Sequence, residues 1–203
     1  MAVSEHKDWT GNKTSVHATL GSRNVATQER VEHDYYATEP AAVEMLLELE
    51  RFGPTIWEPA CGQGHISKVL EKHGYTVISS DLVDRGYGLG GIDFLQRQET
   101  GAGVDIITNP PYKYGMEFVE NALAVVGNGH KVAMFLKLQF LEGKSRGKLF
   151  EKLPPKTVYV SRSRLRCARN GDFEEATNST AVAYCWFVWE KGYAGDTVIK
   201  WFN

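Results

Sequence analysis

Asn109, Pro110, Pro111 and Tyr112 form the stretch of this chain best suited to chemistry. Two adjacent prolines remove two backbone donors and fix two φ angles. A residue before proline is pushed out of the helical region, so Asn109 is held extended. The corner that results presents one amide side chain and one aromatic ring. The Asn109 side-chain oxygen and the Pro110 carbonyl are two acceptors held close together, and a planar NH2 group has two donors that can meet both. Binding both protons would draw the nitrogen toward tetrahedral geometry and free a lone pair that is otherwise delocalised. Tyr112 would stack on the ring that carries the amine. The corner suits an exocyclic amine on a flat substrate; a Pro-rich turn without chemistry is the plain alternative.

Such a corner has to sit at the end of a strand. Residues 104–108 are a short apolar run that reads as a buried parallel strand, and a helix-like stretch follows over 116–126. In open α/β sheets ligands bind at such strand ends. Upstream, Thr55, Ile56 and Trp57 make another short strand, which runs into Glu58-Pro59-Ala60-Cys61-Gly62-Gln63-Gly64. A helix follows through Ile66, Val69 and Leu70 to Gly74. Strand, Gly-x-Gly turn and helix open a nucleotide-type βαβ unit, in which the glycines let the backbone approach a ligand. Residues 75–80 form the second strand, and Asp81 stands at its end. An acid about twenty residues beyond the turn is where ribose hydroxyls are held in such folds, although Asp81 could also simply cap a loop. After a Gly-rich connection, Asp93 stands beside Phe94.

The remaining elements frame this unit. Residues 1–30 are polar and without period, so they read as an irregular arm, with Trp9 as its one tryptophan. Thr38 suits the N-cap and Pro40 the first turn of a helix with Ala42, Val43, Leu46 and Leu47 on its apolar face. Residues 131–140 read as an apolar strand, 145–153 as a short basic helix, and 157–160 as a strand. An irregular Arg-rich loop is expected over 161–179. Residues 181–189 are continuously apolar, as befits a central strand covered on both faces, and 197–202 should pair back as an edge. No internal repeat or linker divides residues 31–203, which read as one domain.

Composition bounds the function. The chain has 203 residues, 42% hydrophobic and 24% charged, which is ordinary for a soluble globular protein. No apolar run is long enough to span a membrane and no signal-peptide core opens the chain, so a cytoplasmic protein is expected. Cys61, Cys167 and Cys185 are widely spaced and form no CxxC pair, so neither zinc nor a disulfide framework is expected, and no HExxH motif suggests metal catalysis. Net charge is −2, yet the charge is unevenly placed. Residues 32–58 hold seven acids and, apart from His33, one base, Arg51; residues 144–169 hold nine Lys or Arg and one acid, Glu151. That asymmetry suits a polyanionic partner for one face, or a plain solvated surface.

At this point the motifs match a family. Glu58-Pro-Ala-Cys-Gly-Gln-Gly64 and Asn109-Pro-Pro-Tyr112 resemble the cofactor and catalytic motifs of class I S-adenosylmethionine-dependent amino-methyltransferases. Their order and spacing resemble the N6-adenine DNA enzymes, and Tyr35-Tyr36-Ala-Thr-Glu-Pro40 looks like the upstream motif of that group. The lead-in and the Arg-rich region resemble small methyltransferases of phages and other mobile elements. The resemblance implies a Rossmann-like, doubly wound, mostly parallel seven-stranded sheet with one antiparallel strand near an edge. It also implies S-adenosylmethionine as cofactor. Gly62 and Gly64, with Ala60, would form the turn under its methionine part. Glu58 would contact that part or order water near it, and Tyr36, Thr38 and Pro40 would close over it. Asp81 would hold the ribose, Asp93 the adenine amino group, and Phe94 would lie against the adenine ring. Asn109 and Pro110 would bind the target amine.

No separate target-recognition domain is evident, so a short or relaxed target sequence is expected. Lys144, Arg146, Arg162, Arg164, Arg166 and Arg169 are left to hold nucleic-acid phosphates, which position an enzyme without specifying sequence. DNA is the expected partner. RNA, a protein glutamine amide, or a nucleic-acid-binding protein that has lost catalysis are the alternatives. The oligomeric state is not set by these patterns.

Overall fold

The computed structural model describes residues 35–97, 103–169, 171, 173 and 182–202. The polar arm with Trp9 and much of the Arg-rich loop lie outside them. Elements in chain order are β1 (Tyr36–Thr38), α1 (Pro40–Leu49), β2 (Thr55–Glu58), α2 (His65–Lys72), β3 (Thr76–Ser79), β4 (Asp105–Thr108), α3 (Gly115–Val125), β5 (Lys131–Lys137), α4 (Lys144–Lys152), β6 (Thr157–Ser161), β7 (Cys167–Arg169), β8 (Tyr184–Glu190) and β9 (Val198–Phe202). Short 3-10 turns span Phe94–Gln96, Tyr112–Tyr114 and Leu138–Leu141.

Seven strands form one sheet in the order β3-β2-β4-β5-β8-β6-β9. β8 is antiparallel to both neighbours, and every other pairing is parallel. The Rossmann-like, doubly wound α/β expectation is met. The continuous apolar runs are explained by layers on both faces. Along β5, Ala133 and Phe135 pack with α1 and α2, while Val132, Met134 and Leu136 pack with α3 and Leu149 of α4. Alternate side chains of a strand point to opposite faces, so a strand covered twice needs apolar residues throughout. Trp186 and Trp189 lie in these opposite layers with their indole N–H groups satisfied, by the Ala42 carbonyl at 2.8 Å and the Leu153 carbonyl at 3.0 Å.

Three local expectations are corrected. The strand over 131–140 ends at Lys137 and turns into the 3-10 segment. β9 is the edge, but it does not pair with β8: β6 is inserted between them, parallel to β9. β8 needs hydrogen-bond partners on both sides, and β5 and β6 already supply them. Thr38 is not the cap of α1. Glu39 holds that position, with Pro40 at the first turn, and Thr38 belongs to β1. Pro40 has no N–H to cap, and the Glu39 carboxylate instead accepts from Arg166, from its backbone N at 2.5 Å and its Nε at 3.1 Å.

The Arg-rich segment is also less irregular than expected. Cys167–Arg169 is β7, which pairs antiparallel with β1 in the register Tyr36↔Arg169, Ala37↔Ala168 and Thr38↔Cys167. This two-stranded sheet is separate from the main one.

Candidate active site

Parallel strands bring their C-terminal ends to one rim, which is where open α/β sheets bind ligands. On that rim stand the turn after β2, Asp81 after β3, the Asn109 corner after β4, and Lys137 at the end of β5.

The turn after β2 requires glycine twice. Gly62 has φ +55° and Gly64 φ +79°, a region that side chains rarely adopt. A Cβ on Gly62 would come within 2.9 Å of the Tyr35 ring, and one on Gly64 would strike the Tyr87 ring. Tyr35 lies over the turn, donates its hydroxyl to Gln63 Oε1 at 2.6 Å, and carries the Arg85 guanidinium 4.6 Å from its ring centroid. Burial pushes the Tyr35 phenol above its usual range.

Asp81 ties the turn to β3. Its Oδ2 accepts from Gly62 N at 2.8 Å and its Oδ1 from Val83 N at 2.9 Å. Glu58, the last residue of β2, is 1% exposed. Its Oε2 accepts from Ser67 N at 2.8 Å and from the Ser67 hydroxyl, which lies 2.7 Å from Ser79 Oγ. Burial, the largest influence, lifts its carboxyl to about 8. Glu58 therefore braces the start of α2 from beneath the turn. Asp93 caps the 3-10 turn, its Oδ1 accepting from Leu95 N at 2.9 Å. Phe94 is in the core, 2% exposed, edge-on to Trp57 at 5.1 Å and 4.9 Å from the Phe118 ring. Its ring is enclosed by these neighbours. Ala60 is half-buried within the turn, and Pro40 is exposed at the start of α1.

The Asn109 corner is held by the β1–β7 pair. Asn109 Nδ2 donates to the Tyr36 carbonyl at 2.6 Å and to Cys167 Sγ at 3.6 Å. The amide nitrogen is thus spent, and Oδ1 is the acceptor that remains. Tyr112 lies among rings, 6.0 Å from Tyr36 and 5.8 Å from Tyr184, with Lys137 Nζ 4.9 Å from its centroid. Its hydroxyl is 3.2 Å from Cys167 Sγ. Burial pushes the Tyr112 phenol well above its usual range and the Cys167 thiol up to about 12. Cys61, also raised to about 12 by burial, sits behind the turn as a packed thiol.

These residues fit an adenosine-type cofactor. The glycine turn has no room for a Cβ, with the Tyr35 and Tyr87 rings packed on it, and Asp81 ties it to β3. Thr38 Oγ1 and His65 Nδ1 are buried without a hydrogen-bond partner. Buried polar atoms are normally paired, so these are open to a ligand. Among the described residues no cluster of three or more His, Cys, Asp or Glu could hold a metal. No helix among them is long and apolar enough to cross a membrane.

The basic residues do not form one set. Lys144, Arg162 and Arg164 are exposed. Arg146 lies over Phe140, 5.7 Å from its ring centroid, and donates from Nε to the Glu142 carbonyl. Arg166 is committed to Glu39. Arg169 pairs with Tyr36 in β7, and its side chain lies outside the described atoms. Phe140 packs in the core against Phe150 and Phe187, while Phe173 meets His65 at 5.6 Å beside the turn. Sequence reasoning placed Tyr35 in the upstream motif without a role, and missed Lys137 and Cys167. Lys137 could have been found as the polar end of a parallel strand; Cys167 carried no local signal.

No family model matches the chain, and no curated protein matches it. Solved structures do. One is the modification subunit of a provisionally assigned type I restriction enzyme from Vibrio vulnificus YJ016, at TM-score 0.58 and 12% identity, covering 94% of this chain and 50% of that one. Another is a provisionally assigned RNA methyltransferase from Pyrococcus horikoshii, at TM-score 0.56 and 14% identity, covering 89% and 99%. A third is a provisionally assigned class I S-adenosylmethionine-dependent methyltransferase from Listeria monocytogenes, at 0.54 and 12%, covering 80% and 62%. The chain thus spans about half of the first and under two thirds of the third. What it shares with all three is the fold: the doubly wound, mostly parallel sheet of the Rossmann-like methyltransferases.

Proposed function

We propose that this chain transfers a methyl group from S-adenosylmethionine to the exocyclic N6 amine of adenine in DNA. The observation that carries the reading is the orientation of Asn109. With Nδ2 held by the Tyr36 carbonyl at 2.6 Å, Oδ1 is the acceptor left for a ligand.

S-adenosylmethionine, when bound, supplies an electrophilic methyl group carried on a sulfonium. The turn of Gly62 and Gly64, the unpartnered Thr38 hydroxyl, Asp81 and Asp93 are the residues that would hold it, with Tyr36 and Pro40 on the β1 side. Glu58 and Phe94 support this site from below, through Ser67 and through the core.

Asn109 Oδ1 and the Pro110 carbonyl accept the two N–H bonds of the target amine. This would aim the nitrogen lone pair at the methyl group the cofactor supplies; transfer would form the N–C bond, leave the C–S bonding electrons on sulfur, and release one N–H proton to solvent. No base is needed before attack, and no covalent enzyme species forms. Catalysis is mainly positioning and charge placement. Tyr112 takes the base, which must leave its stack to reach the corner. Pro111 stiffens the corner. Lys144, Arg146, Arg162 and Arg164 hold phosphates, and with phosphate contacts as the main grip the target sequence is short or relaxed.

The test supplies labelled S-adenosylmethionine with unmethylated DNA, total RNA and a protein extract in parallel, followed by mass spectrometry of the product. N6-methyladenine in DNA is the expected result. Label in RNA or on protein glutamine would overturn the substrate. Bound cofactor without label would overturn all three substrates, and no cofactor binding would favour a non-catalytic nucleic-acid-binding protein.

A further inference from the structure

Two residues of the corner share one neighbour that the reaction scheme does not use. Cys167, on β7, is 7% exposed. Its Sγ accepts from Asn109 Nδ2 at 3.6 Å and lies 3.2 Å from the Tyr112 hydroxyl. Its register partner on β1 is Thr38, whose hydroxyl is unpartnered. Two residues before Thr38 on that strand, the Tyr36 carbonyl takes the other contact of Asn109. Cys167 is therefore where the amine-binding amide, the stacking ring and the cofactor-side strand meet.

We propose that Cys167 is a positioning residue for methyl transfer, fixing the Asn109 amide and the Tyr112 ring relative to each other through a single sulfur atom. The assignment rests on the methyl-transfer reading. The thiol serves as a neutral contact rather than as a nucleophile. Burial keeps it protonated, and the side chains that meet its sulfur are an amide, Asn109, and two phenols, Tyr112 and Tyr184. A sulfur atom also suits the span, because it is large enough to reach both groups. Serine at this position retains a hydroxyl that can meet the same two partners over a shorter reach. Alanine meets neither.

The experiment compares wild type, Cys167→Ala and Cys167→Ser. It measures single-turnover transfer to an adenine-containing oligonucleotide, the KM for that oligonucleotide, cofactor Kd by calorimetry, and the melting temperature. Misplacement of a reacting group by about 1 Å costs on the order of 100-fold in rate, so Cys167→Ala should lose roughly 10- to 100-fold in transfer rate. KM and cofactor Kd should stay within about threefold, since neither contact touches the cofactor and a positioning defect falls on the chemical step. Cys167→Ser should recover most of the rate. Unchanged transfer in Cys167→Ala would overturn the assignment alone. So would equal losses in both variants that track a fall in melting temperature, because that pattern belongs to core packing. Wild-type protein that methylates no adenine would overturn the functional reading and this assignment together.

Discussion

Asn109 donates its side-chain Nδ2 to the main-chain carbonyl of Tyr36, 73 residues earlier, at 2.6 Å. A backbone carbonyl can only accept, so this one contact decides which end of the amide is free. Replacing Asn109 with Asp would put a carboxylate oxygen against that carbonyl. Asn109→Asp and Asn109→Ala should each lower single-turnover transfer by at least about 100-fold, the scale of removing one preorganised group from an active site. Cofactor binding by calorimetry should be unchanged. Normal transfer by either variant would refute the role given to the amide.

Tyr112 is held at its hydroxyl and among its ring neighbours, so the two parts of the side chain can be separated by substitution. Tyr112→Ala should weaken target binding by about 1–3 kcal/mol, the usual worth of one base–aromatic stack. Tyr112→Phe keeps the ring and should lose much less. Fluorescence titration with an oligonucleotide carrying an unpaired target adenine measures both.

Gly62→Ala places a side chain at φ +55° and against the Tyr35 ring. The backbone alone should cost about 1–2 kcal/mol of stability. The same methyl displaces the Tyr35 ring from over the turn, so cofactor affinity should fall as well. Thermal unfolding with and without S-adenosylmethionine reads both effects, and a variant that binds cofactor normally would show that the turn does not face it.

The buried Glu58 carboxyl makes stability depend on pH. Burial lifts its folded-state value to about 8, against 4.5 for a free carboxyl, with the Ser67 hydrogen bonds pulling the other way. Between those values the folded protein holds a proton that the unfolded chain has released, so stability is greatest at the acid end and falls as pH rises through the window. Urea unfolding at about pH 5.5 and about pH 8.5 should show this loss, and Glu58→Gln should flatten it.

Lys144, Arg162 and Arg164 are exposed. If each meets one phosphate, its replacement by Ala should weaken binding alike on all DNA sequences. It should also reduce the slope of log affinity against log salt by about 0.9 per contact. Arg166→Ala should behave differently, lowering stability through Glu39 while leaving the salt slope nearly unchanged.

The amino-acid sequence by itself determined the local parts of this protein. The prolines around Asn109 set its backbone, the glycine pair set the turn after β2, and runs of apolar residues marked strands covered on both faces. All of these follow from φ/ψ limits and from periodicity within a few residues. The tertiary structure alone decided how the parts are joined. Which strand lies beside β9, which end of the Asn109 amide is free, and the diversion of Arg166 to Glu39 depend on groups far apart in the chain. So does the pairing of Cys167–Arg169 with Tyr36–Thr38. Many segments could have satisfied the same hydrogen-bonding needs, and nothing in the residues next to Cys167 distinguishes it from any other buried thiol. Its place between Asn109 and Tyr112 arises only when β7 is laid against β1.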